Sequence, residues 1–337
     1  MPPAVRPVAP HRALIALLLL VLAAPLALAG CGSDGTAVAD SSQTRTITDA
    51  EGTKVDVPVN PERVVTLSEP TLDGTLALGV TPVGSIAGRG QSGVPGYLAD
   101  LAGDVPVLGS VSELDYEAIA KVKPDLILVD GTSVNSADTM KILRKIAPTV
   151  YAGYAGGDWH ATLGVVADAL NREGKEKEVV ADYNAKVAAA KKKLTKYAHD
   201  TFSIVRWQGG SASLILKELP AGMALTDLGL RRPADQDRNG GGHSEPVSLE
   251  NLDQIDADHM FFGTLGGSSE QNPNAGGTSD VTGAKKALAE AEKVPGFTDL
   301  TAYKNHQVIP VDGSLWTSTG GPILMSRLID SVVESLT

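Results

Sequence analysis

The sequence predicts an α/β protein of two Rossmann-like lobes with parallel-rich sheets, joined by one long α-helix. Three observations carry that prediction. Short, nearly all-apolar segments alternate with helix-like ones from Arg63 to Tyr151 and again from Phe202 to Val311, the pattern of strands buried on both faces of a parallel sheet. Between these halves, Lys175 to His199 runs for 25 residues without Gly or Pro and is rich in Ala, Lys and Glu, all strong helix formers. Finally, residues 114–125 align without gaps on residues 247–258 at an offset of 133, as if one structural unit occurred in each half.

The elements follow in order. Arg6, His11 and Arg12 precede an apolar run over 13–29, and no acidic residue occurs before Asp34. That is the layout of a secretory signal. The run is nearly long enough to span a membrane, which leaves a retained anchor with an incidental Cys as the alternative. It ends in Leu28-Ala29-Gly30-Cys31, which resembles a bacterial lipobox. The resemblance implies cleavage before Cys31 and lipidation of Cys31 as the new N-terminus; a diacylglycerol plus a second acyl chain anchors stably where one chain is marginal. Residues 1–30 are thus read as signal peptide. Residues 31–45 are small and polar without apolar periodicity, and are read as a tether. Cleavage would leave 27 basic against 40 acidic side chains, a net charge of −13 where the whole chain has −11.

Residues 49–53 punctuate a β-hairpin over the entrance to the first lobe, expected over 46–173. Within it, 63–67, 82–86, 125–130 and 148–151 read as strands, and 71–79, 115–122, 136–146 and 159–170 as helices. The interlobe helix is expected over 174–199. At 1.5 Å per residue its 25 Gly- and Pro-free positions would span about 37 Å. Its apolar residues Val179, Val180, Tyr183, Val187, Ala190, Leu194 and Tyr197 recur every three or four positions, and its lysines Lys191–Lys193 form a solvated face near the C-terminus. In the second lobe, 200–337, strands are expected over 202–206, 213–217, 259–262 and 307–311. Helices are expected over 224–230, 248–254, 284–291 and from Gly321-Pro322 through Leu336, with Pro in the first turn where it is tolerated.

The repeat places Glu117 on Glu250, Ile119 on Leu252 and Asp125 on Asp258. A Glu in the first turn of a helix favours that helix by a few tenths of a kcal/mol, which explains either Glu singly but not their recurrence. The lipobox, the tether, Pro61-x-Arg63-Val64-Val65, the two repeated segments, the solitary long helix and Val311-Asp312-Gly313 together resemble the substrate-binding lipoproteins of ABC importers for ferric siderophores and cobalamin. The resemblance covers residues 46–337. It implies that one surface glutamate per lobe, here Glu117 and Glu250 with Glu113 and Glu245 as neighbours, docks onto arginines of the two permease subunits. It also implies a ligand between the lobes, and iron(III) that arrives inside the siderophore rather than as a cofactor. Arginine forks suit the oxygen-rich metal shell and aromatic rings its organic backbone. The ligand-binding candidates are therefore Arg89, Arg206, Trp207, Trp316, Tyr154 and Arg238. Trp159 is read equally as core, Arg63 as structural, and Arg231-Arg232-Pro233 as a solvated turn.

Rival classes find less support. Net acidity argues against nucleic acid, and one Cys excludes an intramolecular disulfide or a Cys-based metal site. Five histidines outside the signal (His160, His199, His243, His259, His306) are scattered, whereas metal capture needs converging ligands. Ser211, Ser213 and Ser314 lack a nucleophile elbow, and the glycines of 240–242 lack Walker spacing, so no enzyme is expected. The partners expected are a ferric siderophore (hydroxamate rather than catecholate), an ABC permease with its ATPase, and the outer face of the cytoplasmic membrane, to which a monomer is held by its lipid anchor. Cobalamin or haem binding and a non-transport surface scaffold are the alternatives.

Overall fold

The structure, a computed structural model, describes residues 43–134, 136–265 and 278–337. Cys31, the signal and most of the tether lie outside the described residues. The described residues begin with an antiparallel hairpin, β1 (Thr44–Thr48) and β2 (Lys54–Pro58). The Asp49 carboxylate accepts the N–H groups of Glu51 and Thr53 at 3.0 and 2.8 Å and so closes its turn.

The first sheet is β3 (Val64–Thr66), β4 (Leu126–Val129) and β5 (Thr149–Tyr151), all parallel and all buried. Around it lie α1 (Glu69–Ala77), α2 (Ala99–Ala102), α3 (Tyr116–Lys121), α4 (Ala137–Leu143) and α5 (Trp159–Leu170). The strand expected over 82–86 reduces to isolated parallel bridges, Val65 to Gly84 and Ser85 to Val107. Pro82 has no N–H to donate, and Gly84 packs so closely that a Cβ there would come within 2.3 Å of Leu108.

The connecting helix α6 (Glu173–Lys193) has 21 residues, about 31 Å. It stops six residues before the expected end. Tyr197 turns away in a 3-10 segment, sets its ring edge-on to Phe202 and His259, and donates its hydroxyl to the Leu336 carbonyl at 2.7 Å. These tertiary contacts override the local propensity of a Lys-rich segment.

The second sheet is mixed, in the order β10-β9-β6-β7-β8. It contains β6 (Phe202–Gln208), β7 (Ser211–Leu214), β8 (Glu245–Val247), β9 (His259–Gly263) and β10 (Val308–Pro310); β9 pairs in parallel with both β6 and β10, while β6-β7-β8 run antiparallel. Its helices are α7 (Pro220–Leu228), α8 (Val281–Ala291), α9 (Thr301–Lys304), α10 (Gly313–Trp316) and α11 (Pro322–Leu336). The helix expected over 248–254 is a kinked 3-10 segment, Leu249–Ile255.

Each sheet carries a separate apolar core on its outer face, built around Ile119 and Ile127 in one case and Trp207 and Phe262 in the other. The inner faces merge into a third core through Leu72, Leu163, Val187, Leu225 and Leu328. The last helix α11 packs on α6, α7 and α1. Polar bonds fix the same layer: the Tyr183 hydroxyl donates to Asp227 at 2.5 Å, and Lys186 pairs with Asp330.

The repeat detected in the sequence is structural. Asp115 and Ser248, at the same offset, each cap the helical segment that follows, accepting the N–H of Ala118 and of Glu250. Asp125 accepts the N–H groups of Glu62 and Arg63 at 2.8 and 3.0 Å. Asp258 likewise accepts the N–H and hydroxyl of Thr201 at 2.8 and 2.7 Å. Each aspartate thereby pins the start of the neighbouring parallel strand, β3 or β6.

Candidate functional site

The carboxyl ends of parallel strands are where loops gather and ligands bind in α/β sheets. At the end of β3, Ser68 caps α1, and Glu69 in its first turn is buried. Its carboxylate accepts the Arg89 N–H at 2.8 Å and the Thr319 hydroxyl and N–H at 2.8 and 3.3 Å. Arg89 lies in the loop after Ile86. Its guanidinium stands 3.9 Å from Glu69 and donates to the Thr132 carbonyl at 3.2 Å. Asp130, at the end of β4, accepts the Thr132 N–H and hydroxyl at 2.9 and 2.6 Å. Burial pushes its carboxyl up to about 6 against those bonds and the Arg89 charge.

From the other sheet, β6 delivers Arg206. It is half-buried, and its side chain bonds to the Ser244 hydroxyl. No ion pair joins it to a carboxylate among the described residues. Burial first, and then repulsion from the Arg89 guanidinium, hold Arg206 below the usual arginine range. Arg206 thus lacks a counter-charge among the described residues, and the Arg89 charge repels it.

Next to Thr132, which receives Arg89, is a small recess of about 30 Å³, room for one small polar group rather than a whole ligand. Asp130, Thr132, Tyr154, Trp159, Glu218 and Thr319 are among its walls. Tyr154 is 57% exposed and donates its hydroxyl to the Ala50 carbonyl of the hairpin at 3.3 Å. Trp159 opens α5, stacks on His160 at 3.6 Å between ring centroids and meets Tyr183 edge-on. Glycines close the rim. A Cβ on Gly156 would lie 2.6 Å from the Cα of Gly242, so the backbones of the two loops touch where no side chain fits.

Of the expected ligand residues, Tyr154 lines this recess and Arg89 reaches its wall at Thr132, while Arg206 bonds to Ser244 outside it. Trp207 and Trp316 do not line it; each is 1% exposed. Trp207 stacks on Phe262 and meets Phe297 edge-on, while Trp316 stacks on Phe261 at 4.0 Å and donates its indole N–H to Ser331 at 3.0 Å. Trp207 is expected just past a strand ending at Arg206, but β6 runs on to Gln208 and carries it into the core, as the short α10 carries Trp316. Arg238 is exposed and engaged by Glu245 and by the Asp235 carbonyl. Arg232 corrects the expectation of a solvated turn: it is buried, donates to Ile215 O at 2.8 Å and Gln236 at 3.1 Å, and burial pulls it down to about 10. Arg63 holds the Val122 and Lys123 carbonyls, as a structural residue should. Sequence reasoning missed Glu69, Asp130 and Glu218, since an acid after a strand or at a helix start carries no signal of its burial.

Glu117 and Glu250 are both exposed, whereas Glu245 is occupied by Arg238. Among the described residues no three His, Cys, Asp or Glu side chains are grouped to hold a metal ion, and no helix is long and apolar enough to cross a membrane.

The chain matches the family model described as periplasmic binding protein over residues 64–315. It is 31% identical to the probable siderophore-binding lipoprotein YfiY of Bacillus subtilis, over 94% of this chain and 96% of the relative. It is 30% identical to the iron(3+)-hydroxamate-binding protein FhuD of the same organism, over 92% and 94%. The crystal structure of Staphylococcus aureus SirA complexed with staphyloferrin B superposes with a TM-score of 0.71 at 28% identity, covering 87% of this chain and 98% of that one. YfiY and FhuD are named as binding proteins, not enzymes. The two-lobe architecture, the helix between the lobes and the match over three quarters of the sequence agree: this chain belongs to the periplasmic binding protein family.

Proposed function

We propose that this protein is an extracytoplasmic binding lipoprotein that captures a ferric siderophore between its lobes and delivers it to an ABC importer. The observation that carries the reading is Arg206, a half-buried cation with no ion-pair partner among the described residues, which feels the repulsion of Arg89 in a loop of the other lobe. A desolvated charge of this kind is costly unless an anion completes it, and the oxygen shell of a ferric complex supplies one. The names of the relatives point the same way. The lobes are assigned to 46–173 and 200–337 and the connecting segment to 174–199.

The buried acids Glu69, Asp130 and Glu218 outnumber the two arginines at the cleft. That balance favours a neutral or cationic ferric complex over a tris-catecholate of about three negative charges, and hence a hydroxamate. Glu117 and Glu250, exposed at matching places of the repeat, suit two copies of a basic site on permease subunits. Cys31 is the proposed lipid attachment, the protein working as a monomer on the outer face of the membrane.

Trp159 is the natural reporter: it is a core residue like Trp207 and Trp316, at 4% exposure, but it alone of the three also lines the recess. Titration of tryptophan fluorescence and calorimetry should detect a ferric hydroxamate, with ferric catecholate, ferric citrate, haem and cobalamin as competitors. Binding of haem or cobalamin alone, or of nothing in the panel, overturns the reading.

A further inference from the structure

The recess beside Arg89 has the opposite polarity. Glu218 precedes α7 and is 8% exposed. One carboxylate oxygen, Oε1, accepts the Gly242 N–H at 3.2 Å and so holds the rim loop that meets Gly156. The other, Oε2, is buried with no hydrogen-bond partner among the described residues, although Glu218 lines the recess. A buried carboxylate oxygen left without a donor is costly. Arg232, a buried cation, feels the charge of Glu218 but forms no ion pair with it; its Nη2 is directed to Ile215 O and Gln236, and its Nε and Nη1 are themselves buried without a partner among the described residues. Asp130, Tyr154 and Trp159 share the same recess. Carboxylates beside aromatic rings are the combination that recognises an ammonium group, by charge-assisted hydrogen bonds and by the ring quadrupole.

We propose that this recess seats a protonated amine of the ligand against Glu218 Oε2, with the metal shell turned towards Arg89 and Arg206. The proposal rests on the siderophore reading and narrows it: the preferred cargo is a ferric complex with oxygen donors at one end and a free aliphatic amine at the other. It also gives Glu218 a double task, since the carboxylate that receives the amine is the one that holds the Gly242 rim over it.

The test uses ferrioxamine B, a linear ferric tris-hydroxamate with a free terminal amine, and its N-acetylated form, titrated into the full chain. The wild type should bind the amine form about tenfold more tightly or better. Glu218→Gln keeps an acceptor for Gly242, and should bring the ratio below about twofold by weakening the amine form alone. Tyr154→Leu, at an exposed position, should lower the ratio by a smaller factor, and Asp138→Asn, an exposed acid of α4, should leave it unchanged. Equal affinities in the wild type overturn the proposal. So does a Glu218→Gln variant that weakens both complexes alike, which would make Glu218 a loop holder only. Failure of both complexes while another ferric siderophore binds also overturns it, whereas failure of every ferric complex overturns the parent reading instead.

Discussion

The carboxylate of Asp73, in α1, accepts the backbone N–H of Leu324, in α11, at 2.9 Å. Its second oxygen takes the Ile323 N–H at the same distance. The first N–H groups of a helix have no intrahelical partner, and α11 opens inside the protein. Asp73 satisfies them from α1, and Gly321 permits the approach, because a Cβ there would lie 2.9 Å from the carboxylate. Burial dominates those bonds and raises Asp73 from 3.8 to about 6. Because the pKa is raised on folding, the native state holds a proton that the unfolded chain releases. The stabilising contribution is complete below about 4 and is lost as pH rises through about 6. In urea melts at several pH values, the stability of wild type relative to Asp73→Asn should therefore fall by up to about 3 kcal/mol between pH 4 and pH 7. Parallel curves for the two proteins would contradict this.

Arg206 predicts a trade between binding and stability. Arg206→Met removes a half-buried, unpaired cation that Arg89 repels. It should leave the melting temperature equal or higher while weakening the ferric complex by about tenfold or more. Calorimetry and thermal melts on one sample decide it; unchanged affinity removes Arg206 from the site.

Trp316 behaves as core. Trp316→Ala should cost about 3–5 kcal/mol of stability, and Trp316→Phe should keep ligand affinity. A Phe variant that is stable but fails to bind would return this ring to the cleft.

Gly156→Ala puts a methyl 2.6 Å from the Gly242 Cα, at a position with φ of +69°. Both the clash and the left-handed backbone resist it. The rim should part, so stopped-flow mixing should show faster association and faster release. Slower release is the result that counts against a rim that closes over the ligand.

Glu117→Lys with Glu250→Lys should abolish iron uptake by cells while ligand affinity stays within about twofold, since both side chains project from the surface. Uptake assays paired with titrations check it, and lost affinity would place these glutamates elsewhere in the mechanism.

The architecture was legible because it is written in periodicity. Apolar runs with intervening helices gave most strands of both lobes, though not β8, and marked 82–86 as a strand where only isolated bridges form; the offset of 133 located Asp115 with Ser248 and Asp125 with Asp258, which do matching work at matching strand starts. The helix α6 was placed to within its last turns. Its end was not, because Tyr197 is stopped by Phe202, His259 and Leu336, residues far away in sequence.

The site was legible only in part, for the same reason. Sequence alone determined most of the elements and that two lobes follow one another, and it singled out Arg89, Arg206 and Tyr154 as candidates for a ligand. Tertiary structure decided that Trp207 and Trp316 face inward, that Arg232 is buried, and that Glu69, Asp73, Asp130 and Glu218 are buried acids of the cleft and of the layer between the lobes. Period and propensity act along the chain, whereas burial and counter-charge depend on what packs opposite. A charged residue acquires its role only when folding removes its water and supplies, or withholds, its partner.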